Sequence, residues 1–183
     1  YTPYKQPLAN YIDGLVALGG AYWDTMLSAA SFVGVGIEGC IVPLRSGMTV
    51  PTNNNFISTD VNQLIGLVGV LNSNQYISTG INNTSLSQND VSASVYVTAL
   101  GVNQSVLMGS GVGQIFLRDN ETAFRGSAFN TLTNQTITTT TGLFGTNRNN
   151  SSNYDLRSTQ TTANISATST TPTSGVVSVF TSL

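Results

Sequence analysis

The stretch Val91-Ser-Ala-Ser-Val-Tyr-Val-Thr98 decides the fold class of this chain. Its apolar positions 91, 93, 95 and 97 alternate with the polar positions 92, 94, 96 and 98. A period of two is typical of a β-strand with one buried face and one exposed face. We therefore predict a strand here, with Tyr96 opposite the valine face and turned toward solvent or a partner.

Short segments of the same kind lie on both sides of this strand. The other predicted strands cover residues 64–70, 75–79, 106–109, 114–118, 123–129, 142–146, 154–158 and 176–180. The threonine-rich stretches 131–141 and 159–173 are interpreted as polar strands rather than linkers, because threonine is β-branched. Clusters of Asn, Ser, Gly and Asp between the segments indicate turns. The pattern predicts a mainly β chain folded as an antiparallel β-sandwich or jelly roll.

A different periodicity precedes the strands. Apolar residues recur at intervals of three and four, as on one face of a helix, at Tyr11, Leu15, Leu18, Tyr22 and Met26. We predict a short helical segment within residues 1–36 that docks to a partner or makes a homo-oligomer, because a small domain seldom leaves so much apolar surface uncovered. The sandwich domain is predicted over residues 37–183. Its last strand ends close to Leu183, so we expect the sequence to belong to a longer polypeptide.

Composition excludes several function classes. Only 8% of the 183 residues are charged, and the net charge is −2. The chain therefore lacks the basic surface that binding to nucleic acid or anionic lipid requires, and no stretch is apolar enough for membrane insertion. The absence of histidine removes the commonest general base and zinc ligand. The one cysteine, Cys40, is interpreted as a small buried residue, and we expect no cofactor.

The acidic residues are the candidates for catalytic or metal sites. Asp119 and Glu121 are close enough in sequence to act as a glycosidase pair, but the Asp119-Asn120 dipeptide between Arg118 and Arg125 favours a hairpin turn. Asp90 and Asp119 carry oxygen ligands for calcium without the spacing of a known calcium loop. We predict no catalytic residue and no metal ligand. A degenerate glycoside hydrolase is the least favoured alternative.

Tyrosines are the predicted contact residues. A tyrosine ring gives a sugar or a protein partner a flat apolar surface, with a hydroxyl at its tip. The candidates for glycan or partner contact are Tyr96, Tyr76 and Tyr154.

Four segments together carry a resemblance to a known family. They are Gln75–Gly80, Gln88–Asp90 leading into Ser94–Val97, Gly142–Arg148 and Asn153–Arg157. In this order they resemble the concanavalin A-like (laminin G-like) jelly roll of bacteriophage virion structural proteins, over residues 37 to 180. The Glu-x-Asp-x-x-Glu strand of the glucanases with this fold is absent.

The resemblance implies a virion-surface protein: a fibre, an adhesin or a decoration protein. Its expected partners are other virion proteins of the capsid or tail, copies of itself, and a glycan of the host surface. The alternative is a cellular or secreted carbohydrate-binding or adhesion domain, which would be extracellular.

Overall fold

The computed structural model of the protein describes residues 9–10, 13–14, 16–17, 24–32, 36–62, 65–69, 74–99, 106–111, 114–119, 123–130, 133–136, 141–159 and 161–180. This part of the chain is mainly antiparallel β-structure, as the alternation predicts. A one-turn helix, α1 (Ile37–Cys40), precedes the strands. The strands are β1 (Thr52–Asn54), β2 (Val61–Asn62), β3 (Gly66–Leu67), β4 (Tyr76–Asn82), β5 (Val91–Val97), β6 (Val106–Gly109), β7 (Ile115–Asp119), β8 (Ala123–Ala128), β9 (Thr133–Thr136), β10 (Gly142–Arg148), β11 (Asn153–Ser158), β12 (Thr162–Ser166) and β13 (Val176–Val179).

The strands form two antiparallel sheets and a small hairpin. The larger sheet has seven strands in the order β1-β4-β13-β6-β7-β8-β9, and the smaller has four in the order β12-β11-β10-β5. Strands β2 and β3 make the separate hairpin. The two sheets together have the layout of a β-sandwich.

The alternation of β5 is realised as predicted. Val91, Val95 and Val97 are buried, whereas Ser92, Ser94 and Tyr96 are exposed. One face of β5 therefore contributes to the core, and the other belongs to the outer surface of the smaller sheet.

Side chains from the two sheets meet in a shared core. The rings of Phe124 on β8 and Phe144 on β10 lie 5.1 Å apart between centroids. Tyr154 on β11 donates a hydrogen bond from its hydroxyl to the carbonyl oxygen of Gly126 on β8, at 3.1 Å. These contacts place β8 directly against β10 and β11.

Residues 167–175 form a connecting segment between β12 and β13. Gln88 donates to Ser169 Oγ at 3.0 Å, and the Thr173 amide donates to Gln114 Oε1 at 2.8 Å. Asn130 donates from its amide nitrogen to the carbonyl of Thr168. The predicted polar strand over 159–173 is thus shorter than expected, because beyond β12 the backbone bonds to side chains and turns of both sheets. In the stretch 131–141, the described residues 133–136 and 141 include the short strand β9.

The predicted N-terminal helix is not evident. Isolated residues at 9–10, 13–14, 16–17 and 24–25 are helical, but among the described residues α1 is the one α-helix with defined bounds, beside the 3₁₀ turns Ser58–Asp60 and Asn83–Ser85. Tyr11, Leu15, Leu18 and Tyr22 lie outside the described residues. Residues 26–32 instead run beside residues 40–49, through bonds such as Leu44 N to Ala29 O at 3.1 Å. From residue 26 onward, backbone pairing with that neighbouring segment therefore replaces the predicted helix.

Aromatic contacts join this first part of the chain to its last strand. The ring of Phe180 makes edge contacts with Phe32 at 5.6 Å and Phe56 at 6.4 Å between centroids. The segment before β1 is therefore attached to the end of the larger sheet. The boundary between residues 36 and 37 stays a prediction.

Candidate functional site

The side of the smaller sheet that points away from the larger one is the candidate site, which we call the open face. Strand alternation and register assign its residues. They are Ser92, Ser94 and Tyr96 on β5, Leu143, Gly145 and Asn147 on β10, Asp155 and Arg157 on β11, and Thr162, Asn164 and Ser166 on β12.

An exposed aromatic and aliphatic pair lies at one end of the open face. Tyr96 and Leu143 are directly opposite each other in the β5–β10 register, and they are 68% and 46% exposed. Next to them, Thr98 donates from its hydroxyl to the carbonyl of Ile65 at 2.8 Å. The Tyr96 ring is thus the largest apolar surface that the face presents.

Polar side chains continue the face beyond this pair. Asn164 donates to Asp155 Oδ1 at 2.8 Å, and Arg157 Nη2 lies 3.6 Å from Asp155 Oδ2. Asp155 therefore holds an amide on one side and a guanidinium on the other. Asn164 and Arg157 have further N–H groups, which can donate hydrogen bonds to a hydroxyl or carboxylate of a ligand.

Gly145 makes the centre of the face shallow. A Cβ at this position would lie 3.0 Å from the carbonyl oxygen of Ala93 and 3.1 Å from the Cβ of Ser94. The close approach of β5 and β10 therefore leaves little room for a side chain here. The result is a low strip between the Tyr96 end and the polar end.

The three predicted tyrosines are not brought together. Tyr96 is on the open face, whereas Tyr76 is only partly exposed and lies on β4 of the larger sheet, opposite Asn54. The prediction that Tyr154 contacts a glycan or partner is wrong, because this side chain is 1% exposed. The centroid of its ring lies 5.2 Å from the guanidinium carbon of Arg148. As a core residue it is unavailable for a surface contact.

The open face contains further residues that the sequence alone does not predict as a site. They are Leu143, Asn147, Asp155, Arg157 and Asn164. Residues 153–158 carry a sequence signal, because Tyr154 and Leu156 alternate with polar residues, whereas residues 142–148 show no such alternation. These side chains share a surface with Tyr96 because β10 pairs with β5 and β11. The sequence of a single strand does not specify which strand it pairs with.

In the described part of the chain, no three His, Cys, Asp or Glu residues lie close enough together to hold a metal ion. Asp119 pairs with Phe124 in the β7–β8 hairpin, and Glu121 lies outside the described residues. Burial raises the pKa of the Cys40 thiol, so this side chain stays a neutral thiol. None of the helices in the described ranges is long and apolar enough to cross a bilayer.

Comparisons with protein-family models, with curated proteins and with solved structures give no match to this chain. The resemblance to the concanavalin A-like jelly roll therefore reaches as far as the architecture: two antiparallel sheets in a β-sandwich.

Proposed function

We propose that the protein is a non-enzymatic structural module of a virion surface that binds carbohydrate through the open face. A fibre, an adhesin and a capsid or tail decoration protein all fit this role. Other virion proteins and further copies of the chain are its proposed partners, in addition to a host-surface glycan. The jelly-roll fold of the concanavalin A-like kind belongs to this proposal.

The observation that carries the proposal is the exposed Tyr96 ring beside a shallow polar strip. Sugars present apolar C–H faces together with hydroxyl groups, so a site needs a flat apolar surface close to hydrogen-bond donors and acceptors. The flat apolar surface comes from Tyr96 and Leu143. The hydrogen-bond donors and acceptors come from Asp155, Arg157 and Asn164.

The charge of the face agrees with a neutral ligand. Its one described ion pair, Arg157 with Asp155, combines opposite charges. A strongly anionic or cationic ligand would meet no concentrated opposite charge here. A cellular or secreted adhesion domain would use the same surface, so the proposal about the site does not depend on the source of the protein.

A glycan array compared between three proteins tests the proposal. The wild type is expected to bind a set of neutral glycans, and Tyr96→Ala is expected to weaken that binding at least tenfold, because stacking on the ring is lost. Val50→Ala removes a side chain of similar exposure, 64%, outside the open face and is expected to bind like the wild type.

Two results would overturn the proposal. One is an array on which the wild type binds no glycan. The other is equal binding by the wild type and Tyr96→Ala, with both proteins melting at the same temperature, because the ring would then contribute nothing.

A further inference from the structure

The residues of the open face form a regular grid, since β5, β10 and β11 pair in an unbroken register. Residues at every second position of a strand share a face, and residues opposite one another in a ladder are neighbours across it. The registers therefore place the open-face residues of these strands in three successive rows. The rows are Tyr96 with Leu143, then Ser94 with Gly145 and Arg157, then Ser92 with Asn147 and Asp155.

Tyr96, Gly145 and Asp155 lie on one diagonal of this grid, which we call the diagonal path. Each step of the path crosses to the next strand and moves two residues along it. Gly145 is at the midpoint, and among the described open-face residues it is the one without a side chain. Ser94 lies next to this midpoint, because its Cβ is 3.1 Å from the place that a Cβ of Gly145 would occupy. A shallow track therefore connects the exposed ring of Tyr96 to the carboxylate of Asp155.

The two ends of the diagonal path are too far apart for one sugar ring. Neighbouring strands are about 4.8 Å apart and residues rise about 3.3 Å along a strand, so two strands and four residues separate the ends by about 16 Å. A hexose unit in a chain is about as long as the distance between neighbouring strands, so about three units span the path. A monosaccharide therefore contacts one end only.

The polar end of the path has the donors and acceptors that two neighbouring hydroxyl groups need. Asp155 Oδ1 accepts from Asn164 at 2.8 Å, and Oδ2 lies 3.6 Å from Nη2 of Arg157. Each carboxylate oxygen has two lone pairs, and the Asp155 side chain is 26% exposed, so each oxygen can accept from a further donor. One hydroxyl can donate to Oδ1 and accept from Asn164, while the hydroxyl on the next carbon donates to Oδ2 and accepts from Arg157. The cluster therefore suits a sugar unit with free vicinal hydroxyls.

We propose that the open face binds a linear run of about three neutral sugar units along the diagonal path. One end unit stacks on Tyr96, the middle unit lies over Gly145, and the other end unit is held through vicinal hydroxyls by Asp155. This inference rests on the proposed function, and it adds the length, the course and the anchoring groups of the ligand.

The length of the ligand is tested with oligosaccharides of one to six units. Isothermal titration calorimetry measures the affinity of the wild type for four series: cello-, malto-, manno- and galacto-oligosaccharides. In the series that bind, the dissociation constant is expected to fall at least tenfold between one unit and about three units. It is expected to change by less than about twofold between four and six units, because the added units extend beyond the path.

Substitutions along the diagonal path test the course of the ligand. Tyr96→Ala and Asp155→Ala are each expected to weaken binding of a tetrasaccharide at least tenfold, whereas at most one of them affects binding of the monosaccharide. Ser94→Leu is also expected to weaken tetrasaccharide binding at least tenfold, because it fills the space beside Gly145 and leaves the backbone there unchanged. The matched control is Ser92→Leu, an exposed serine on the same strand that lies off the path. It is expected to bind within about twofold of the wild type.

Three results would overturn this inference and leave the proposed function standing. The first is a monosaccharide that binds as tightly as the tetrasaccharide and loses binding in Tyr96→Ala. The second is unchanged tetrasaccharide binding by Asp155→Ala or Ser94→Leu, in a variant that melts like the wild type. The third is a wild type that binds glycans on the array but binds none of the four series. Absence of all glycan binding on the array would instead overturn the proposed function itself.

Discussion

Arg148 is fully buried, and backbone carbonyl oxygens, rather than an acidic side chain, accept the hydrogen bonds of its charged guanidinium. Its Nε donates to Ala128 O at 2.7 Å, and its Nη atoms donate to the carbonyls of Asn150, Asn153 and Ala167 at 3.0 to 3.1 Å. Burial lowers the pKa of this guanidinium, and the Tyr154 phenol partly offsets the effect. The four carbonyls belong to β8, to the β10–β11 turn, to the first residue of β11 and to the connecting segment, so this side chain joins four parts of the fold.

Replacing Arg148 with methionine is expected to lower the free energy of unfolding by about 3–4 kcal/mol, because several buried carbonyl oxygens lose their donors together. Urea denaturation followed by circular dichroism measures the change. Arg148→Lys is expected to recover only part of the loss, since an ammonium group cannot reach the same carbonyls as a planar guanidinium.

Arg157→Met is the matched control, because Arg157 is about half exposed on the open face. Its expected effect on unfolding is below about 0.5 kcal/mol. Equal destabilisation by the two substitutions would contradict the role assigned to Arg148.

At the scale of elements, Gly126 on β8 allows the two sheets to approach each other. A Cβ there would overlap Leu156 Cδ1 of β11 and would lie 3.3 Å from Leu117 Cδ2 of β7. The neighbouring hydroxyl of Tyr154 bonds to the carbonyl of the same glycine. The contact between β8 and β11 therefore depends on a position without a side chain.

Gly126→Ala is expected to destabilise the fold by about 2–3 kcal/mol, because an added methyl group in a packed core forces its neighbours apart. The cost is expected to fall by more than half in a Leu156→Ala background, where the overlapping methyl is absent. A double-mutant cycle from urea denaturation measures this coupling.

Gly69→Ala is the control for this cycle, since its Cβ would only touch the Phe56 ring at 3.9 Å. An additive cycle for positions 126 and 156 would show that the two do not meet across the sheets.

The elements themselves could be predicted wherever alternation is regular. β5, β6, β8 and β13 lie within about one residue of their predicted bounds, because the alternation of β5 and the short segments between turn residues in the others are local properties of the sequence. The same logic applied to Asn153–Ser158 would have placed Tyr154 in phase with Leu156 and therefore inside. The hydroxyl of Tyr154 suits a surface contact, but its position in the strand places the ring in the core.

Sheet order could not be predicted in the same way. β4 pairs with β13 and β5 pairs with β10, so each of these strands meets a partner far along the chain. No local signal specifies such a pairing. The open face follows from it, since Tyr96 and Leu143 become neighbours only when β5 and β10 pair.

At the scale of the whole molecule, a nearly uncharged chain combines a shared core with a polar outer surface. Only 8% of residues are charged, and the buried positions are filled by aromatic and aliphatic side chains from both sheets. Most polar residues of the chain carry amides and hydroxyls rather than charges, which suits hydrogen bonding to neutral ligands better than electrostatic attraction. The open face is the part of this surface where such groups lie next to an exposed aromatic ring.

Chemical-shift mapping of the ¹⁵N-labelled protein with a glycan selected on the array tests the proposed binding role of the open face most directly. The account predicts that the largest amide shifts occur at Tyr96, Leu143, Asp155, Arg157 and Asn164, and that Tyr96→Ala abolishes them. Shifts confined to the larger sheet, or no shifts at saturating glycan, would contradict it.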